Sequence, residues 1–126
     1  MNNLTRVLVV HEDPAVRNLV RLTLGQSSYG VVEAQDVDAA MRMASTWGAD
    51  LVVINDELPS PGAGAVLSAL RVDPKTADVK VLLLGDKDDP PGNDRRQSLQ
   101  VDAVLNAPFG AYALLQSCDA LRARGD

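Results

Sequence analysis

The sequence predicts an α/β protein of the (βα)5 kind, a doubly wound five-stranded parallel sheet with helices on both faces. Three observations point there. Short, continuous apolar runs rich in β-branched residues recur along the chain, and each stops at a polar or breaker cluster. Runs of that length without alternation read as strands covered on both sides. Between them lie segments with helical spacing and identifiable start and stop residues. Strand and helix alternate throughout, and parallel strands joined by right-handed crossovers follow from that alternation.

The first run, Arg6 to Val10, ends in His11-Glu12-Asp13. Asp13 followed by Pro14 is a helix start, an N-cap acid with proline at the first helical position. Val16, Leu19, Val20, Leu22 and Leu24 are the expected packing residues of that helix, with Arg17 and Arg21 on another face. Gly25 and Gln26-Ser27-Ser28 close it. Tyr29 to Ala34 is the second strand. Asp36 caps a helix over Val37 to Thr46, packed through Ala39, Ala40, Met43 and Ala44. Gly48-Ala49-Asp50 turns the chain into the third strand, Leu51-Val52-Val53-Ile54, which runs into Asn55-Asp56-Glu57 and stops at Leu58-Pro59.

The breaker-rich loop Pro59 to Gly64 leads into a helix with Val66, Leu67 and Leu70 inward, ending near Asp73-Pro74. Val79 to Leu84 is the fourth strand. Asp86 to Asp94 holds four aspartates, two prolines and a glycine, and is expected to be mobile. Arg95 to Leu99 has room for one or two helical turns. Val101 to Leu105 is the last strand, broken by Asn106-Ala107-Pro108. Ala111 to Arg122 is the closing helix, with Leu114, Leu115, Cys118 and Leu121 inward.

Length and composition exclude several classes. At 126 residues, residues 1–126 form a single domain with room for a real core, and 46% apolar with 23% charged residues is ordinary for a globular chain. Aromatics are scarce, so the core is built mostly from Val, Leu and Ala. A net charge of -5 argues against nucleic-acid binding by this domain, which needs clustered Lys and Arg. The one cysteine, Cys118, allows no internal disulfide, which fits a reducing compartment. Met1 to Arg6 lacks the apolar core of a signal peptide, and no run approaches the roughly 20 apolar residues of a membrane span. A cytoplasmic location is the expectation.

In open α/β sheets ligands bind outside the carboxyl ends of the strands. Here those ends carry His11, Glu12 and Asp13 after the first strand and Asn55, Asp56 and Glu57 after the third. Successive strand side chains point to opposite faces, so Asp56 should point away if Asn55 points in. His11 with Glu12, Asp13 and Asp56 could suit a transition metal. The plainer reading is a hydrogen-bonded strand-end histidine, bonded to Asn55 or Asp56. Gly62 and Gly64 form a turn and not a phosphate loop, since no Lys-Ser/Thr pair follows. The acidic run Asp86-Lys87-Asp88-Asp89 reads as a solvated loop or a docking surface, and Cys118 as a core residue.

Taken in order, these pieces resemble the receiver domains of bacterial two-component response regulators, from about Arg6 to Arg122. The resemblance rests on Val7-Leu8-Val9-Val10 before an acid cluster, Asp13-Pro14-Ala15-Val16-Arg17, Asp50-Leu51-Val52-Val53, Leu58-Pro59, Leu70-Arg71 and Pro108-Phe109. It implies the flavodoxin-like strand order 2-1-3-4-5 and a place in a phosphorelay. It also implies an aspartate that accepts a phosphoryl group from a histidine kinase, and that position falls on Asn55. The two acids that hold Mg²⁺ fall on His11 and Glu12, the hydroxyl residue on Gly85, the lysine on Ala107, and the aromatic switch on Val104. An amide has no anionic oxygen to attack phosphorus. With the hydroxyl and the cation also replaced, the resemblance implies a degenerate pseudo-receiver with no catalytic residues and no cofactor. It would be a non-enzymatic module acting through phosphorylation-independent protein contacts.

The expected partners are proteins: a histidine kinase, an output domain or another regulator. A homodimer through the face of the fourth helix, fifth strand and fifth helix is also possible, with Arg95, Arg96, Leu99, Tyr112 and Gln116 on that face. Two alternatives stay open. One is a divergent phosphoacceptor using Asp56, with Glu12 and Asp13 holding Mg²⁺. The other is a small-molecule sensor using the space at Asn55, Gly85 and Ala107.

Overall fold

The computed structural model describes residues 4–86 and 99–124. Its five strands are β1 (Thr5–Val10), β2 (Tyr29–Ala34), β3 (Leu51–Asn55), β4 (Lys80–Gly85) and β5 (Ala103–Asn106). All pair in parallel, in the order β2-β1-β3-β4-β5. The helices among the described residues are α1 (Pro14–Leu24), α2 (Val37–Trp47), α3 (Gly62–Val72) and α4 (Ala111–Arg124), the last being the C-terminal helix. The turns expected over Arg95 to Leu99 and the mobility expected of Asp86 to Asp94 concern residues outside the described ones, apart from Leu99 and Asp86. Among the described residues, no helix is long and apolar enough to cross a membrane.

The strands lack polar alternation because both faces of the sheet are covered. Leu8, Val10, Val52, Ile54, Val81 and Leu83 face α2 and α3 in one core layer. Val7, Val9, Leu51, Val53, Leu82 and Leu84 face α1 and the C-terminal helix in the other. The central strands are therefore fixed in register by apolar residues on two sides, since a one-residue slip would exchange the layers. Register pairs Val7 through Val10 with Leu51 through Ile54. This holds the ends of β1 and β3 side by side.

α1 and α2 begin where their caps dictate. Asp13 Oδ1 accepts from the Ala15 N–H at 2.9 Å, and Asp36 Oδ1 from the Ala39 N–H at 2.8 Å. Gly48 closes α2 at φ 77°, a left-handed conformation that glycine adopts without penalty. Arg6 donates to the Trp47 carbonyl at 2.8 Å, satisfying one of the orphan acceptors at that helix end.

Four expectations shift. Leu22 is 50% exposed, because it lies two residues from the buried Val20 and so on the far side of a 100°-per-residue helix. β4 starts at Lys80 and includes Gly85. β5 starts at Ala103 because Asp102 meets Val81 partly through its side chain: Asp102 N–H donates to the Val81 carbonyl at 3.0 Å, while Asp102 Oδ2 accepts from the Val81 N–H at 2.7 Å. Asn106, expected to break the strand, is its last residue.

The two-layer core makes a testable contrast. Leu83→Ala removes a fully buried side chain and should cost about 2–5 kcal/mol in urea unfolding, at an unchanged denaturant slope. Leu22→Ala, at a half-exposed position, should cost under about 1 kcal/mol.

Candidate functional site

The carboxyl edge of the sheet gathers the ends of β1, β3, β4 and β5. Asn55 is the last residue of β3 and is half-buried. Its Nδ2 donates to Glu12 Oε1 at 2.6 Å, and its Oδ1 accepts from the Glu57 N–H at 3.2 Å. These partners fix the amide orientation, because a carboxylate can only accept and an N–H can only donate. The Asp56 N–H donates to the Leu84 carbonyl at 2.9 Å, extending the β3–β4 ladder by one residue. The Asp56 side chain is half-buried.

Glu12 and His11 lie in the β1–α1 loop. The His11 N–H donates to the Ala34 carbonyl at 3.1 Å. The His11 ring is 14% exposed, and its Nδ1 accepts from the Asp13 N–H at 3.0 Å. That nitrogen also lies 3.2 Å from Glu12 Oε1, which would be an ion pair only with a protonated ring. Burial holds the His11 pKa below its ordinary value despite the opposing pull of Glu12 and Asp13, with Arg17 adding to the lowering. The ring is therefore neutral at pH 7, with its proton on Nε2. Asp13 is the cap of α1, so one of its oxygens is already engaged.

On the other side, Gly85 and Ala107 are joined directly, with the Ala107 N–H donating to the Gly85 carbonyl at 2.9 Å. Asn55, Gly85 and Ala107 thus share one edge of the sheet. Asn106, opposite Gly85, has a buried Oδ1 with no partner among the described residues. Such an oxygen is a place for a bound water or a ligand donor.

The expected partner surface is only partly brought together. Arg95 and Arg96 lie outside the described residues. Leu99 and Val104 are half-buried and pack against the α2–α3 layer. Tyr112, 76% exposed, is on the opposite side of the sheet. It borders a groove of about 400 Å³ against Leu22 and Gln26 of the α1 end. The Gln116 Nε2 donates to the Tyr112 hydroxyl at 3.3 Å. A larger groove of about 560 Å³, lined by Leu4, Asp50, Lys80 and Arg122 among others, opens at the opposite, amino end of the strands. Cys118 is buried with its thiol pKa pushed up by burial to about 12, which makes it inert. Among the described residues, no group of three His, Cys, Asp or Glu side chains is arranged to hold a metal ion.

Sequence reading missed Arg17. Its pattern places it with Arg21 on a face other than that of the packing residues, yet it is 15% exposed and donates to the carbonyls of both His11 and Glu12. A guanidinium on a long stem reaches acceptors that helix periodicity does not reveal.

Comparison with known proteins agrees with this fold. Residues 7–119 match the family model described as response regulator receiver domain. The DNA-binding dual master transcriptional regulator RpaA of Synechocystis is 30% identical over 96% of this chain and 50% of its own length. The phosphate regulon transcriptional regulatory protein PhoB of Escherichia coli is 25% identical over 94% of this chain and 52% of its own. The chain therefore spans about half the length of the curated relatives it matches. Among solved structures, the chemotaxis response regulator CheY4 of Vibrio cholerae superposes with a TM-score of 0.86 at 21% identity, covering 94% of this chain and 99% of its own. The receiver domain of the Francisella response regulator 1452 gives 0.84 at 20%, covering 97% and 99%. At that identity the two structures speak for the fold alone.

The neutral, partly buried His11 sets a pH dependence. Below the ordinary imidazole pKa of about 6.5 the unfolded chain binds a proton that the native state resists. Stability is then full above that pH and declines as the pH falls toward the lower native-state value. Urea midpoints should drop between pH 7.5 and pH 5.5, and the drop should be shallower in His11→Gln. An equal drop in both proteins would show that His11 does not control it.

Proposed function

The chain belongs to the response regulator receiver domain family, and we propose that it signals without accepting phosphate, as a pseudo-receiver working through protein contact. The observation that carries this is the Asn55 amide bonded to Glu12 at 2.6 Å. The family's phosphoacceptor falls on Asn55, and an amide offers no anionic oxygen. Phosphoryl transfer depends on positioning and charge neutralisation. Gly85 brings no hydroxyl and Ala107 no cation, so the two positions supply neither a side-chain donor nor a counter-charge.

The residues present also do not fit Mg²⁺, which needs hard oxygen ligands in octahedral array. His11 offers a nitrogen that already accepts a backbone N–H, Asp13 caps α1, and one Glu12 oxygen is taken by the Asn55 amide. No step of the mechanism runs through a metal. What the site does is hold one arrangement. Asn55 ties β3 to the β1–α1 loop with no group to be added or lost, so the carboxyl edge keeps one state. With Val104 in place of the aromatic switch, nothing there reports a phosphoryl group to a distant face.

The module is accordingly non-enzymatic and cytoplasmic, and its partner is a protein such as a histidine kinase, an output domain or another regulator. The contact surface includes the exposed Tyr112 with Gln116 on the C-terminal helix.

Intact mass after incubation with acetyl phosphate and Mg²⁺ tests the proposal. No phosphoryl adduct should form under conditions that label an ordinary receiver. An adduct that disappears in Asp56→Asn would instead make this a divergent phosphoacceptor with a displaced aspartate.

A further inference from the structure

Arg17 lies near the start of α1 and joins three elements. Its Nη1 donates to the His11 carbonyl at 2.8 Å and to the Glu12 carbonyl at 3.2 Å, and its Nε donates to Glu33 Oε1 at 3.2 Å. Glu33 is on β2, an edge strand of the sheet, and its other oxygen meets Arg21 at 3.2 Å. Arg21 is 49% exposed and Glu33 35% exposed, so this pair faces solvent, while Arg17 at 15% exposed does not. A guanidinium held that far from water needs acceptors on its N–H groups. The planar fork serves them together, which a lysine ammonium could not do in the same way.

The loop that Arg17 holds is the one that presents Glu12. Position 12 follows the end of β1, outside the sheet ladder, and its side chain is 43% exposed. Side-chain packing therefore does little to fix the direction of its carboxylate. The direction comes from the backbone, and the backbone carbonyls of residues 11 and 12 are both bound to Arg17.

We propose that Arg17 is a positioning residue that aims the Glu12 carboxylate at the Asn55 amide, and that it couples this contact to the exposed Arg21–Glu33 pair on α1 and β2. A partner that engages Glu33 or Arg21 would draw on the same guanidinium and alter the Glu12–Asn55 contact, with no phosphate involved. The inference rests on reading that contact as the feature that fixes the state of the domain. Its test reads the contact itself, whereas phosphate labelling tests the wider reading, so the two can fail separately.

The test is the side-chain amide signal of Asn55 in a proton–nitrogen NMR spectrum, assigned by its loss in Asn55→Ala. Donation of one amide proton to a carboxylate should separate the two proton shifts beyond those of a solvated asparagine. In Arg17→Gln the separation should shrink toward the solvated value while the backbone signals of β3 and β4 keep their dispersion. Glu33→Ala, at a more exposed position, should shift the same signals in the same direction by less. Unchanged Asn55 signals in a folded Arg17→Gln protein would overturn the proposal. If that variant does not fold, unchanged signals in Glu33→Ala would overturn it.

Discussion

The Asn55 amide and the Glu12 carboxylate meet across the ends of β3 and β1, and the carboxyl edge of the sheet is arranged around that contact. A hydrogen bond to a charged acceptor is short and stronger than a neutral one, and 2.6 Å fits that description. Buried, such a bond would contribute roughly 1.5–3 kcal/mol. Glu12 is 43% exposed, so solvent screening reduces its value here toward about 1 kcal/mol. The bond matters less for total stability than for what it occupies. It engages the remaining acid of the expected metal pair with the side chain that stands in the acceptor position.

The contact depends on the sheet beneath it. β1 and β3 are adjacent and in register, and their apolar residues are buried on both faces. A strand held in this way cannot slide, so Asn55 arrives at a fixed height beside the β1–α1 loop. Asp13 then caps α1, His11 accepts the Asp13 N–H, and Arg17 holds the loop carbonyls. Each of these interactions is local and modest. Together they leave the loop with one way to present Glu12. Fold and site are thus linked through the register of β1 and β3 and the hydrogen bonds of the loop between β1 and α1.

Much of the fold was legible because its signals are local. Val7 to Val10 and Leu51 to Ile54 are apolar runs that admit few readings, and the Asp13 and Asp36 caps mark helix starts by their chemistry. Leu22 was misplaced because an apolar residue about half a turn out of phase looks like its neighbours in the sequence. The start of β5 was misjudged because Asp102 imitates a ladder residue with its carboxylate. The site was legible as a set of positions but not as a set of bonds. His11 was expected to reach Asn55 or Asp56, whereas its Nδ1 takes the Asp13 N–H, and the Asn55 amide goes to Glu12. The hold of Arg17 on the loop was invisible because its acceptors there are the backbone carbonyls of His11 and Glu12, which no side-chain pattern records. Leu99 and Tyr112, grouped by resemblance, lie on the two sides of the sheet whose edge is β5.

A double-mutant cycle on Asn55→Ala and Glu12→Ala, read by urea unfolding at pH 7, measures the central contact directly. The two side chains should be coupled by about 1 kcal/mol, so that the double variant loses less than the two single losses combined. Additivity within about 0.3 kcal/mol would contradict a carboxyl edge organised around this hydrogen bond.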